Sequence, residues 1–139
     1  MAKTNAFGSW LRCQCKLDPV MVMVGITPTR YSHHIVKESG CFVINFPKKS
    51  YKKEYGYLGS ASGRDEDKIS KVGFHVVKTD EEQPTFEEGK MVFVCKKLME
   101  TQLNPEEFID PEVDGRWYPQ KDYHHMYTAE VIAAYRIEQ

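Results

Sequence analysis

Hydrophobic positions in this chain fall into short runs and alternations, not into long helical stripes. The densest run is Val20-Met21-Val22-Met23-Val24, followed by Gly25-Ile26. It is too short for a solitary helix and has the length of a strand buried on both faces. Before it, Ser9 to Lys16 alternates, with Trp10, Arg12, Gln14 and Lys16 against Leu11, Cys13, Cys15 and Leu17, which predicts a strand. Cys41 to Phe46 is a further strand by composition, stopped by Pro47. Met91 to Met99 predicts another, with Val92, Val94 and Leu98 on one face. The chain closes on Tyr123 to Ile137. There Tyr127, Ala129, Val131, Ala133, Tyr135 and Ile137 alternate with Met126, Thr128, Glu130 and Arg136, as in a long half-buried strand.

The helical signals are shorter. Tyr31, Ile35 and Glu38-Ser39-Gly40 read as a brief helix with Thr29 as N-cap and Gly40 as the glycine past its end. Ser50 is placed to cap a second helix, with Tyr51, Tyr55 and Leu58 at i, i+4 and i+7. Asp65, Glu66 and Asp67 suit the first turn of a third, which Gly73 ends. Thr79 to Lys90 is acidic, contains Pro84 and reads as a surface loop. Glu100 to Gln120 reads as a long polar loop with a helix start at Asn104-Pro105-Glu106-Glu107. Loops of that length are often lids or partner contacts, and Trp117 and Tyr118 at its tip can cover a ligand or anchor the loop to its own barrel. Strands separated by short helices, with long β segments at both ends, indicate a mainly β chain: a small barrel decorated by helices. No G-x-G-x-x-G follows a strand, so a Rossmann dinucleotide site is unsupported.

Composition narrows the classes. At 139 residues, 41% hydrophobic and 28% charged, the chain has the makings of one globular domain with its own core. A formal net charge of −1 lacks the basic excess of a nucleic-acid or membrane-surface protein. No apolar run reaches membrane-spanning length and no signal-peptide pattern opens the chain, so a cytoplasmic location is expected. The 4 cysteines form no regular framework, as expected in a reducing compartment. Cys13-x-Cys15 has no second pair at zinc-like spacing, which favours two buried thiols over a metal site, and no metal is expected.

Two stretches carry candidate chemistry. Between the Val20 strand and the first helix, Arg30 is gathered with the hydroxyls of Thr27, Thr29 and Ser32. A helix start there favours an anion by roughly 0.3–1 kcal/mol, and a charge-assisted bond from Arg30 adds ~1.5–3 kcal/mol. The same residues also serve as an ordinary cap with a surface arginine. The second stretch, Gly59-Ser60-Ala61-Ser62-Gly63-Arg64, is a small-residue loop whose backbone can approach a ligand, with Arg64 and Lys68 placed to reach back over it.

In order along the chain, Asn5-Ala6-Phe7-Gly8-Ser9-Trp10, Asp18-Pro19, Arg30-Tyr31-Ser32, Lys37-Glu38-Ser39-Gly40, Phe42-Val43-Ile44-Asn45, Gly59, Ser62-Gly63-Arg64-Asp65-Glu66-Asp67-Lys68, and Asp122 with His124 ahead of Glu130-Val131 form a set of blocks spanning nearly the whole sequence. In these blocks the chain resembles the flavin reductase-like family, whose FMN-binding split β-barrel is shared by the flavoredoxins. The Ser-Gly-Arg-Asp-x-Asp-Lys block after Arg-Tyr-Ser is the most specific part of the likeness. The resemblance implies a mainly β split barrel that binds FMN. Arg30, Tyr31 and Ser32, with Thr29 beside them, would hold the phosphate, and Asn5, Ala6, Ser9 and Trp10 would line the isoalloxazine. Ser62, Gly63, Arg64 and Lys68 would approach the ribityl and phosphate end, or the same region of a partner subunit. His124 matches a histidine near the nicotinamide donor, and strand parity puts it on the face of Glu130. His33, His34, His75 and His125 carry no such match and read as structural or surface residues.

The activity implied is an FMN-dependent oxidoreductase, a homodimer taking electrons from NADH or NADPH, or from a redox partner protein, and passing them to flavin or another small acceptor. A flavin-carrying electron carrier, or a flavin-free binding module, is the alternative. Two departures from the family pattern stand out. The chain begins almost at the Asn-Ala-Phe-Gly-Ser-Trp block, where the family has a further first strand, which implies a barrel edge that must be covered or paired. Ala129 also stands where glycine is usual before Glu130.

Overall fold

The computed structural model describes residues 4–6 and 12–137, with backbone alone for 12–17. Its frame is a five-stranded antiparallel sheet of β1 (Arg12–Leu17), β2 (Val20–Ile26), β3 (Cys41–Pro47), β6 (Gly89–Gln102) and β7 (His125–Arg136). The spatial order is β1-β2-β7-β6-β3, so the two longest strands lie in the middle. A two-stranded hairpin, β4 (Val76–Lys78) and β5 (Pro84–Phe86), stands beside it and is tied to β3 by Thr85 Oγ1 donating to Asn45 Oδ1 at 2.6 Å. Helices are short: α1 (Ser32–Glu38), α2 (Lys52–Ser60), α3 (Lys68–Val72) and α4 (Glu112–Trp117). The fold is thus mainly β with short helices, of the split-barrel type. None of these helices is long and apolar enough to cross a membrane.

Among the described residues, two clusters stand out in the core. Val24, Ile26, Val36 and Tyr127 join the sheet to α1, with Phe42 and Ile44 packed against them. Leu58, Ile69, Phe74 and Phe86 join α2, α3 and the hairpin, with Ala6 and Tyr55 at their margin. The second cluster anchors both ends of the segment 59–68, through Leu58 before it and Ile69 after it. Burying Leu58 to 2% exposure is worth roughly 1.5–3 kcal/mol.

Several expectations need correction. The Val20 run is not buried on both faces: only Val24 to Ile26 are buried, and Val20 is 39% exposed. Thr29 does not cap α1, because the cap position falls on Tyr31, already in helical dihedrals, and Thr29 Oγ1 lies at 3.4 Å from Thr27 Oγ1. Gly40 does not stop α1 by a left-handed turn; the Ser39 N–H and hydroxyl both donate to Ile35 O. Nor does Ser50 cap α2, since it lies inside a 3-10 turn at Lys49–Tyr51 that leads into the helix. Asp67 is the N-cap of α3, accepting from Ser70 N, so Asp65 and Glu66 precede the helix; Gly73 ends it with φ of 71° as expected. The acidic segment Thr79–Lys90 contains β5 and four buried residues, Thr85, Phe86, Glu88 and Gly89. Buried Glu88 accepts the His75 N–H at 3.1 Å, so its charge marks a backbone tie and not a loop surface.

Bulges account for the remaining differences. Between β6 and β7, Lys97 pairs with Ala129 and Met99 with Thr128, which leaves Leu98 as an extra residue. Leu98 is therefore off the face of Val92 and Val94 and 50% exposed. A second shift leaves Ile132 unpaired between Val131 and Ala133, at 44% exposure. Tyr127, Thr128 and Ala129 are all buried, because both faces of the central strand are covered there, and the strict alternation ends. Strand β6 runs on to Gln102, so the long polar segment shrinks to a 3-10 turn at Pro105–Glu107 followed by α4. Ser9 and Trp10 lie outside the described residues, as do the side chains of Cys13 and Cys15.

Candidate functional site

The turn Thr27–Arg30 closes with Arg30 N donating to Thr27 O at 3.1 Å and sets Arg30 at the mouth of a pocket of about 70 Å3. Tyr31 and Ser32 form one wall, and residues 59–63 the opposite one; Gly59 and Ser60, expected in a loop, are the last residues of α2, and the loop proper starts at Ala61. Asn5 reaches in from the N-terminal segment, its Nδ2 donating to Ser32 Oγ at 2.6 Å. Gly63 is required by contact: a Cβ there would stand 2.6 Å from Asn5 Oδ1 and 3.1 Å from the Tyr31 ring. The third wall is Lys68, 3% exposed, whose ammonium donates to Leu58 O at 2.7 Å and Ala61 O at 2.8 Å. Those carbonyls close the end of α2, so Lys68 both shapes the loop and brings a charge to the pocket.

Electrostatics gives the pocket its sign. Burial pulls the Lys68 pKa down, the nearby Arg30 charge adds to this, and Glu66 opposes both from behind. Two cations repel one another here, and no carboxylate is among the lining residues. Ser32 Oγ accepts from Asn5, and Ser62 Oγ accepts from the Arg64 N–H at 3.2 Å, which leaves each hydroxyl proton to donate elsewhere. Helix α1 adds little, since it is two turns long and its His33 N–H is spent on Arg30 O at 3.0 Å. The volume suits a phosphate and is far below the roughly 300 Å3 at which small-molecule pockets begin. A larger groove of about 220 Å3 between the hairpin and Tyr135 carries Asp80 and Glu87 against the single cation Lys78 and has the wrong sign for an anion.

Of the residues expected at a site, Asn5, Arg30, Tyr31, Ser32, Ser62, Gly63 and Lys68 meet in this one pocket. Thr29 stays exposed on the turn, and Ala6 packs on the Leu58 cluster. Arg64 is exposed over the Tyr31 ring, its guanidinium carbon 5.9 Å from the centroid. His124 lies just ahead of β7, its Nδ1 2.7 Å from the Tyr118 hydroxyl. Burial lowers its pKa, Asp122 partly offsets this, and Arg30 lowers it further, so the ring is neutral at pH 7 within reach of the Arg30 field. Of the two aromatics expected to cover a ligand, Tyr118 turns inward onto His124 while Trp117 is 65% exposed. Sequence reasoning missed a second grouping altogether: His33, Glu100 and His125, three segments apart in the chain, converge beside Tyr127.

Comparisons with known proteins agree with this architecture. Residues 9–139 match the model of the flavin reductase like domain. A flavoredoxin from Methanosarcina acetivorans is 26% identical with a TM-score of 0.72, over 97% of this chain and 62% of that one. An FMN-binding protein from Thermus thermophilus, solved with bound p-hydroxybenzaldehyde, has a TM-score of 0.74 at 20% identity, over 95% of this chain and 63% of its own. A protein of Archaeoglobus fulgidus is 28% identical over 86 residues, 61% of this chain and 49% of that one. The chain thus spans about half the length of that curated relative and about three fifths of the two solved structures. On the match over residues 9–139, the chain belongs to the flavin reductase-like family.

Proposed function

We propose that this chain binds FMN, with the phosphate seated between Arg30 and Lys68, and works as a redox protein of its family. The observation that carries the reading is a pocket lined by two cations and three serines with no carboxylate. Arg30 supplies a charge-assisted bond, while Ser32 and Ser62, whose oxygens accept from Asn5 and Arg64, keep their hydroxyl protons to donate. Gly63 keeps the loop close enough for contact. When bound, flavin supplies hydride acceptance at its N5 and one- or two-electron transfer. The chain's part is position, water exclusion and field. Arg30 favours negative charge nearby, and neutral His124, tethered to Tyr118, offers an uncharged ring where a nicotinamide would stack.

The electron donor is NADH, NADPH or a redox partner protein, and the acceptor is flavin or another small molecule. Stopped-flow bleaching of bound FMN by each nicotinamide separates these. Rapid bleaching identifies a reductase, while bound flavin bleached by neither donor identifies a carrier. Colourless protein that takes up no FMN contradicts both. The working unit is a homodimer in this reading. Val20, Leu98, Met99 and Ile132 leave apolar side chains exposed on the three adjoining strands β2, β6 and β7, as a face closed by a second copy would require. A monomer at micromolar concentration that still retains FMN would contradict this part.

A further inference from the structure

We infer that His33, Glu100 and His125, none of which lines the pocket of Arg30 and Lys68, form a binding site for one divalent transition-metal ion of the zinc class. Each residue comes from a different element: His33 from α1, Glu100 from β6 and His125 from the first position of β7. One ligand atom from each lies within 4.8 Å of the other two. Two of the three are already in contact, His125 Nδ1 and Glu100 Oε1 being 2.9 Å apart. Ligands around a tetrahedral zinc at ~2.1 Å stand about 3.4 Å from one another. His33 would need to draw in by about 1.5 Å at most, within the reach of a side-chain adjustment. Its ring is already 4.4 Å from that of His125, centroid to centroid.

Burial and donor type both favour the ion. His33 is 8% exposed and the His125 side chain 14%, whereas His75, paired only with glutamates, is 73% exposed. Two imidazoles and a carboxylate make a borderline-soft donor set, suited to zinc and unsuited to magnesium or calcium. Tyr127, fully buried, sets its hydroxyl 3.1 Å from His33 Nε2 and 3.3 Å from Glu100 Oε1, where it can hold a water as fourth ligand. Two cations stand nearby. Lys37 Nζ lies 3.9 Å from Glu100 on a side chain 55% exposed and free to swing away. Lys97 is tied to Val36 O and Lys37 O and faces the Tyr127 ring. An ion held here would pin α1 to the two central strands directly behind Ser32. The site stands whether or not flavin binds.

The test is titration of the chelator-stripped full chain with Zn2+ alone, read by competition with a chromogenic chelator, and with Co2+ read by its visible spectrum. One equivalent per chain is expected, weakened more than about tenfold by Glu100→Gln and by His125→Gln. His34→Gln, and Cys13→Ser combined with Cys15→Ser, should leave binding unchanged. The Co2+ complex should show four- or five-coordinate d–d bands without thiolate charge transfer. Absence of binding, binding that survives Glu100→Gln and His125→Gln, or a thiolate band lost with the two cysteines would each overturn the proposal.

Discussion

Consecutive residues of this chain face two sites of opposite appetite. Ser32 opens into a pocket with Arg30 and Lys68, where the described lining residues include no carboxylate. His33, the next residue, turns to Glu100 and His125, where the donors are two imidazole rings and a carboxylate. The same division recurs at the start of β7, where His124 lies in the field of Arg30 and His125 contacts Glu100. A helix one residue on, or a strand one residue on, thus separates a pocket lined by two cations from a cluster of two imidazoles and a carboxylate. What selects the guest is the sign and softness of the donor set, since both places are polar and partly buried.

The largest effect should come from Lys68→Met. It strands Leu58 O and Ala61 O, which accept the ammonium at 2.7 and 2.8 Å. A loss of about 2–4 kcal/mol in urea unfolding is expected, together with loss of FMN binding. Unchanged stability would show that the lysine does not hold the loop. Next comes Arg30→Glu, which should cost FMN more than about 2 kcal/mol of binding and leave Zn2+ uptake untouched. Equal losses of both ligands, measured by parallel titrations, would break the separation of the two sites. A smaller effect, about 1–2 kcal/mol in FMN affinity, is expected for Gly63→Ala, because the added methyl displaces Asn5 from Ser32. Circular-dichroism melting should change little.

The smallest effect concerns His124. Its folded pKa lies below the ordinary value of 6.5. The unfolded chain therefore takes up a proton first as pH falls. This contribution to stability is complete above pH 6.5 and is lost as pH drops toward the folded pKa. In His124→Gln, urea midpoints between about pH 7.5 and about pH 5.5 should fall less steeply than in the parent chain. Identical slopes would mean that the ring titrates freely.

The grouping of residues around Arg30 was legible in the sequence because most of its parts are local. Arg30, Tyr31 and Ser32 are contiguous, Ser62 and Gly63 stand six and five residues before Lys68 at the start of α3, and glycines and hydroxyls are the residue types a close approach to phosphate needs. What could not be read was the division of labour: Lys68 spends two of its protons on carbonyls, which depends on how α2 ends. The histidine cluster left no signal at all. His33 and His125 meet only through the packing of α1 on the sheet, and the pairing of Gln102 with His125, which brings Glu100 within reach, depends on the bulge at Leu98. The β4–β5 hairpin was hidden for a third reason. Its acidic residues suggested solvent, while Glu88 is buried as a partner for the His75 backbone.

The most direct measurement compares FMN with riboflavin, by fluorescence titration, on the parent chain and on Arg30→Ala. If the guanidinium holds the phosphate, FMN should lose ~1.5–3 kcal/mol of affinity and riboflavin almost none. Equal losses for the two flavins, or no loss for FMN, would contradict the seat between Arg30 and Lys68.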